Sequence, residues 1–255
     1  MKVQDIRAKF CHLLLTKEFV SVNREATLTN IVGSRTIEIV GASFEANEDA
    51  IFGIANQEYI AREELWYDSM SLNVNDIPGG PPEIWKRCAD KDGFINSNYG
   101  WCIFHPENGR QYENAVNELK KNPESRRATM IYTRPSIWNE YDLNGRSDFI
   151  CTNAVQFLIR NGKLDVVVQM RSNDTIFGYR NDFAWHKHVQ DKACQELQVS
   201  PGKIFWQVGS LHVYEKDFYL VHHYMNTGEK HITKENFRVL YPLSTFAGTK
   251  KQEKK

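Results

Sequence analysis

Residues 149–170 read Phe149-Ile150-Cys151-Thr152-Asn153-Ala154-Val155-Gln156-Phe157-Leu158-Ile159-Arg160-Asn161-Gly162-Lys163-Leu164-Asp165-Val166-Val167-Val168-Gln169-Met170. Two runs rich in β-branched and aromatic residues flank Asn161-Gly162, a dipeptide suited to a tight hairpin because both positions tolerate positive φ. The spacing predicts strands over 149–159 and 164–170. Working outward, residues 128–133 and 204–214 have the same strand character, while 111–121 and 182–197 read as helices. Toward the start, Phe52, Tyr59 and Trp66 recur every seven residues and predict a helix over 48–70 with an apolar stripe. Residues 1–19 read as a first helix, and Pro78-Gly79-Gly80-Pro81-Pro82 as a rigid loop. Strands occur in runs with flanking helices and without regular βαβ alternation, so the expected class is α+β with a mixed sheet.

The chain has 255 residues, enough for one large domain or two small ones. Its 32 Lys and Arg balance 32 Asp and Glu, which excludes binding to nucleic acid or an anionic membrane by bulk charge. Hydrophobic residues make up 41%, the level of a folded protein, and the longest apolar runs, such as 166–168, are far too short to span a bilayer. The start carries acidic residues and no leader-like cleavage pattern, so cytoplasm is the expected compartment. Cysteines at 11, 88, 102, 151 and 194 form no C-x-x-C pair and are expected as thiols. The segment near 247–255 ends Lys250-Lys251-Gln252-Glu253-Lys254-Lys255 and reads as a charged, solvated tail.

Several residues have the chemistry of a site. An unperturbed cysteine is only about 3% thiolate at neutral pH, so a nucleophilic Cys151 needs neighbouring cations. Arg35, Arg126-Arg127 and Arg171-Ser172 supply them, and if they converge they suit a phosphate. Glu63 shares a helix face with Tyr59 and Trp66, either as a buried acid with a purpose or as a stripe-edge carboxylate reaching water. His212 and Tyr214 emerge on one face of a strand, as a sugar-binding pair or a structural one. The His186-x-His188 and His222-His223 pairs have no further ligands at matching spacing, so no metal is expected.

Arg62-Glu63-Glu64-Leu65-Trp66, Asn98-Tyr99-Gly100, Pro123-Glu124-Ser125-Arg126-Arg127, Cys151-x4-Gln156-Phe157, Arg171-Ser172-Asn173-Asp174-x3-Gly178 and His212-x-Tyr214 resemble, in this order, the blocks of the thymidylate synthase family. Within it the chain is most similar to the branch, encoded by certain bacterial viruses, that hydroxymethylates deoxycytidylate. That likeness lies in residues 36–44, in Ile95-Asn96-Ser97-Asn98-Tyr99-Gly100-Trp101 and in Arg171-Ser172-Asn173-Asp174. The branch point is Asp182, where the synthases have an asparagine that pairs with uracil. Its alternative reading is a helix N-cap or first-turn acid.

The resemblance implies a single thymidylate synthase-like catalytic domain over 1–255, with a large mixed sheet flanked by helices and one sheet face forming a homodimer interface. It implies that Cys151 attacks carbon 6 of dCMP and that carbon 5 takes a one-carbon unit from the co-substrate 5,10-methylenetetrahydrofolate. Water is then added to give 5-hydroxymethyl-dCMP for viral DNA in the host cytoplasm. Glu63 would order water and protons, and Asp182 would select cytosine. Arg35, Arg171 and Ser172 from one subunit and Arg126 with Arg127 from the other would hold the phosphate. His212 and Tyr214 would read the sugar, and Trp85, Asp174 and Gly178 would line the folate pocket. Tyr99 would stand near the catalytic centre. No metal is implied. The alternatives are thymidylate synthase or a dUMP hydroxymethylase and, outside catalysis, a scaffold docking to other nucleotide-synthesis enzymes. Thr152 after the cysteine, Asn181-Asp182 and the charged tail all depart from the synthase pattern.

Overall fold

In the computed structural model, which describes residues 1–22 and 34–244, the strands are β1 (Val20–Val22), β2 (Ser34–Glu45), β3 (Thr129–Ile131), β4 (Thr152–Arg160), β5 (Lys163–Asp174) and β6 (Ser200–Tyr214). The helices are α1 (Val3–Thr16), α2 (Gln57–Asp68), α3 (Glu83–Cys88), α4 (Tyr99–Phe104), α5 (Gln111–Lys121), α6 (Ile137–Glu140), α7 (Gly178–Leu197), α8 (Phe218–Thr227) and α9 (Lys234–Leu240). The six strands form one sheet in the order β1-β2-β6-β5-β4-β3. Asn161 and Gly162 take φ of 50° and 71°, as the hairpin between β4 and β5 requires. β5 and β6 are parallel, joined through α7, and the other pairs are antiparallel. The mixed sheet and flanking helices are the α+β class read from the sequence.

Alternation along the strands turns Val155, Phe157, Val166, Val168, Met170, Ile204, Trp206 and Val208 into the core, where Trp185, Val189 and Ala193 of α7 are also buried. The five cysteines are thiols. The proposed tail near 247–255 lies outside the described residues.

The helix expected over 48–70 begins only at Gln57. Arg7 of α1 donates to the carbonyls of Ala50 (2.8 Å) and Ile51 (2.5 Å), and Gly53 sits at φ 78° with its N–H on the Lys230 carbonyl. The backbone groups a helix would use are therefore engaged elsewhere, and Asn56 caps the helix by accepting from the Tyr59 N–H. Phe52 still joins the core, from a loop.

α7 starts four residues before the expected 182, because the Asp174 carboxylate receives the N–H groups of Ile176 (3.1 Å) and Phe177 (3.0 Å) and turns the chain into the helix. Asp182 therefore lies in the second turn, which removes the N-cap reading. β4 likewise starts at Thr152, leaving Cys151 on the segment that feeds the strand.

Candidate active site

Cys151 is half-buried, with its carbonyl held by the Arg171 N–H of β5 at 2.9 Å. The Arg171 side chain folds back over the same segment. Its Nε donates to the Ile150 carbonyl (3.1 Å) and one Nη to the Phe149 carbonyl (2.6 Å), with that Nη 3.5 Å from the Cys151 Sγ. The guanidinium also lies over the Phe149 ring. A cation is thus fixed beside the sulfur, the setting a thiolate nucleophile needs.

Asp182 faces into the fold from α7. Its Oδ2 accepts from Asn173 Nδ2 at 2.7 Å, and Asn173 Oδ1 accepts from Trp206 Nε1 at 3.2 Å, which fixes the orientation of the amide. Gly178 leaves room for this pair, since a Cβ there would stand 3.0 Å from Asn173 Nδ2 and 3.6 Å from the Asp182 oxygen. Desolvation, then the nearby Glu63 carboxylate, push Asp182 up to about 8, against the pull of the Asn173 and Tyr99 hydrogen bonds.

Glu63 is 5% exposed, which rules out the stripe-edge reading. Its Oε1 accepts from the Tyr59 hydroxyl (2.6 Å) and the Trp85 indole N–H (2.9 Å). Burial raises its pKa and these two donors oppose the rise. Trp85 therefore reaches the site as a donor to Glu63.

Close helix contact brings Glu63 and Tyr99 to one place. Asn98 caps α4 by accepting from Trp101 N (2.8 Å) and donates to the carbonyls of Trp66 (3.0 Å) and Ser71 (2.8 Å) at the end of α2. Gly100 lies so near the Tyr67 carbonyl that a Cβ would come within 1.7 Å of the oxygen. The Tyr99 ring stacks on Tyr67, and burial, then the Asp182 and Cys151 charges, raise its pKa well above normal. Tyr99 thus feels Asp182 and Cys151, and Asp182 feels Glu63, which links the four residues in one neighbourhood.

The parallel register sets Ser172 opposite Ser210 and Asp174 opposite His212. His212 and Tyr214 emerge together, their rings edge to face at 4.9 Å, with Nδ1 of His212 at 3.3 Å from Ser210 Oγ. The arginines divide. Arg35 on β2 is drawn to Glu215 and lies over Phe19, Arg127 pairs with Glu118 at 2.8 Å, and Arg126 is exposed. β2 and the strand that follows Arg126-Arg127 are four strand spacings apart, roughly 19 Å, too far for all of them to grip one phosphate within one chain. Among the described residues, no group of three or more His, Cys, Asp or Glu could hold a metal ion, and no helix is long and apolar enough to cross a membrane.

Two residues of the site carried no catalytic role in the sequence reading, His186 having been weighed only as a metal ligand. Asn173 stood inside a quoted block without a role. His186, one turn beyond Asp182, is 1% exposed among the rings of Tyr99, Tyr132 and Trp206, and its nitrogens meet no hydrogen-bond partner among the described residues. Burial pushes it down to about 3, so it stays neutral.

Comparison with known proteins agrees with this geometry. The family model described as thymidylate synthase matches residues 30–240. The deoxycytidylate 5-hydroxymethyltransferase of Enterobacteria phage T2 is 51% identical over 244 residues, covering 93% of this chain and 96% of that protein. The protein of the same name from Enterobacteria phage T4 is 50% identical over 244 residues, with the same coverage. The thermostable thymidylate synthase A from Bacillus subtilis superposes with a TM-score of 0.66 at 21% identity, over 86% of this chain and 83% of that one, which is a likeness of fold. With the family model spanning most of the chain and half of all residues shared with two phage proteins, the chain belongs to the thymidylate synthase family.

Proposed function

We propose that this chain is a deoxycytidylate 5-hydroxymethyltransferase, joining dCMP, the one-carbon unit of 5,10-methylenetetrahydrofolate and water into 5-hydroxymethyl-dCMP and tetrahydrofolate. The observation that carries this reading is Asp182, a carboxyl held by Asn173 at 2.7 Å where the uracil-acting synthases have an asparagine, with burial and Glu63 raising its pKa to about 8. Cytosine presents an amino donor beside an unprotonated ring nitrogen. Raised to about 8, the Asp182 carboxyl is inclined to keep its proton at pH 7. The carboxyl oxygen then accepts from the amino group while the O–H donates to the ring nitrogen. Transfer of that proton makes the base cationic and electrophilic at carbon 6, where the Cys151 sulfur adds. The carboxylate left behind holds the charge that develops, which is stabilisation of the transition state.

When bound, methylenetetrahydrofolate supplies a one-carbon unit at the oxidation level of formaldehyde. The half-exposed Phe177 ring and the Asp174 carboxylate before α7, and the Trp85 indole beside Glu63, are suited to a flat aromatic ring with N–H donors, and Gly178 keeps the start of α7 open between Asn173 and Asp174. Glu63, buried and inclined to hold a proton, orders water and moves protons at its carboxyl, and Tyr99 lies across the same space. Loss of the proton from carbon 5 releases tetrahydrofolate and leaves an exocyclic methylene, water adds to that carbon, and expulsion of the Cys151 sulfur restores the 5,6 double bond. Arg171, Ser172 and Arg35 bind the 5′-phosphate together with Arg126 and Arg127 of the partner subunit. The separation of β2 from the strand after Arg126-Arg127 supports that sharing and a homodimer. His212 and Tyr214 read the sugar hydroxyl. A buried apolar cluster running from Val3 to Phe237 supports a single domain.

The test is incubation with methylenetetrahydrofolate and either dCMP or dUMP, with products identified by mass. A 5-hydroxymethylated product from dCMP is expected. Product from dUMP alone overturns the assignment, and formation of dihydrofolate identifies the reductive, synthase reaction instead.

A further inference from the structure

Asp148 stands three residues before Cys151 and is 6% exposed. One carboxylate oxygen accepts from the N–H groups of Asn96 (2.5 Å) and Ser97 (2.8 Å), and the other from the Ser97 hydroxyl (2.6 Å). The Asp148 carbonyl accepts from Asn96 Nδ2 at 2.9 Å. Arg146 braces the same joint, donating to Asn96 Oδ1 (2.7 Å) and to Asp90 Oδ2 (3.0 Å). A buried carboxylate is costly unless strong donors surround it, and here each donor belongs to one short segment. That segment runs directly into the Asn98 cap and Tyr99.

We propose that Asp148 is a positioning residue for Cys151, fixing the distance of the nucleophile from Tyr99 and Asp182. The proposal rests on Cys151 as the nucleophile of the hydroxymethyl transfer. Two residues separate Asp148 from Cys151 and one separates Ser97 from Tyr99, so movement at the joint passes to the reacting groups with little slack. On the other side, β5 holds Cys151 through Arg171. The two attachments together pin the Cys151 backbone from both sides. A misplacement of about 1 Å is enough to cost a rate factor of about 100.

The experiment compares Asp148→Ala, Asp148→Asn and Ser97→Ala, each checked for folding by circular dichroism. Asparagine can keep a carbonyl oxygen on both backbone N–H groups and turn its amide toward the Ser97 hydroxyl, so it keeps the joint without the charge. Asp148→Ala is expected to lose about 100-fold in kcat with KM for dCMP within about threefold, while Asp148→Asn stays within about fivefold. Ser97→Ala is expected to lose about tenfold in kcat. Alkylation of Cys151 by iodoacetamide, followed by peptide mass, is expected to slow in Asp148→Ala and not in Asp148→Asn, because Phe149 and Ile150, whose carbonyls hold the Arg171 guanidinium beside the sulfur, lose their anchor at Asp148.

Folded Asp148→Ala with wild-type kcat overturns the proposal. So does Asp148→Asn as slow as Asp148→Ala, which would make the charge and not the bridge responsible. If Asp148→Ala does not fold, Ser97→Ala decides, and unchanged kcat and alkylation there overturn the idea. The alkylation needs no turnover, so wild-type protein inactive on dCMP refutes the proposed reaction while the alkylation comparison still decides the positioning.

Discussion

Asp182→Asn tests the substrate assignment most directly. The rise from 3.8 to about 8 means that roughly 5–6 kcal/mol is held against the charged carboxylate in the folded protein. A cationic base beside it restores part of that. If half is regained at the transition state, removing the carboxylate costs roughly 3 kcal/mol, a loss of about 100-fold in kcat/KM for dCMP. The new amide keeps its place, because Asn173 is held by Trp206 with its N–H groups toward residue 182 and can donate to the amide oxygen. The remaining amide group then meets uracil, and dUMP becomes the better substrate. The assay is kcat/KM for both nucleotides with methylenetetrahydrofolate, product by product. The wild-type enzyme is also expected to lose kcat/KM for dCMP as pH rises through about 8, where Asp182 gives up its proton, and the variant to lack that limb. A dCMP-to-dUMP ratio within threefold of wild type would refute the pairing argument.

Three further outcomes are expected. Since Asp182 binds its proton more tightly in the folded state, it lowers stability as pH rises from 3.8 to about 8; Asp182→Asn should raise the thermal midpoint at pH 8 and change it little at pH 4, and equal effects at both would contradict the buried-acid reading. His186, held down to about 3, makes the wild type lose stability as pH falls below its ordinary 6.5; His186→Phe should therefore gain about 2 kcal/mol at pH 5 relative to pH 8, measured by urea denaturation. Gly178→Ala places a methyl group 3.0 Å from Asn173 Nδ2, whose amide cannot yield without leaving Trp206 or Asp182. It should lower kcat/KM for dCMP by about tenfold with no more than about 1 kcal/mol lost in stability, and normal turnover would dissociate Asn173 from catalysis.

The hairpin, the mixed sheet and α5 follow from local chemistry, because Asn161-Gly162 and strand alternation act within a few residues. The start of α2 does not. The repeat of Phe52, Tyr59 and Trp66 looks like a helix stripe, yet Arg7, more than forty positions away, captures the carbonyls of Ala50 and Ile51. Residue identities at the candidate site were legible: Cys151 beside a cation, Glu63 on an apolar face, His212 with Tyr214. Their partners were not. Alternation from Val166 through Met170 points to Ser172 as the next buried position, whereas Asn173 is buried, tied to Trp206 and Asp182 by contacts across the sheet and helix layers. The proposed gathering of Arg35 with Arg126-Arg127 is illegible for a deeper reason, since within one chain β2 and β3 lie four strands apart.

The contact at Gly100 has a consequence for redesign. With no space for even a methyl group between α4 and the Tyr67 carbonyl, the two helices cannot be tuned separately. Residues 57–104 amount to a cassette: anyone transplanting the acid of α2 into a related scaffold must carry the tyrosine of α4 with it. A library that varies one helix against a fixed copy of the other will return folded proteins only where position 100 stays glycine.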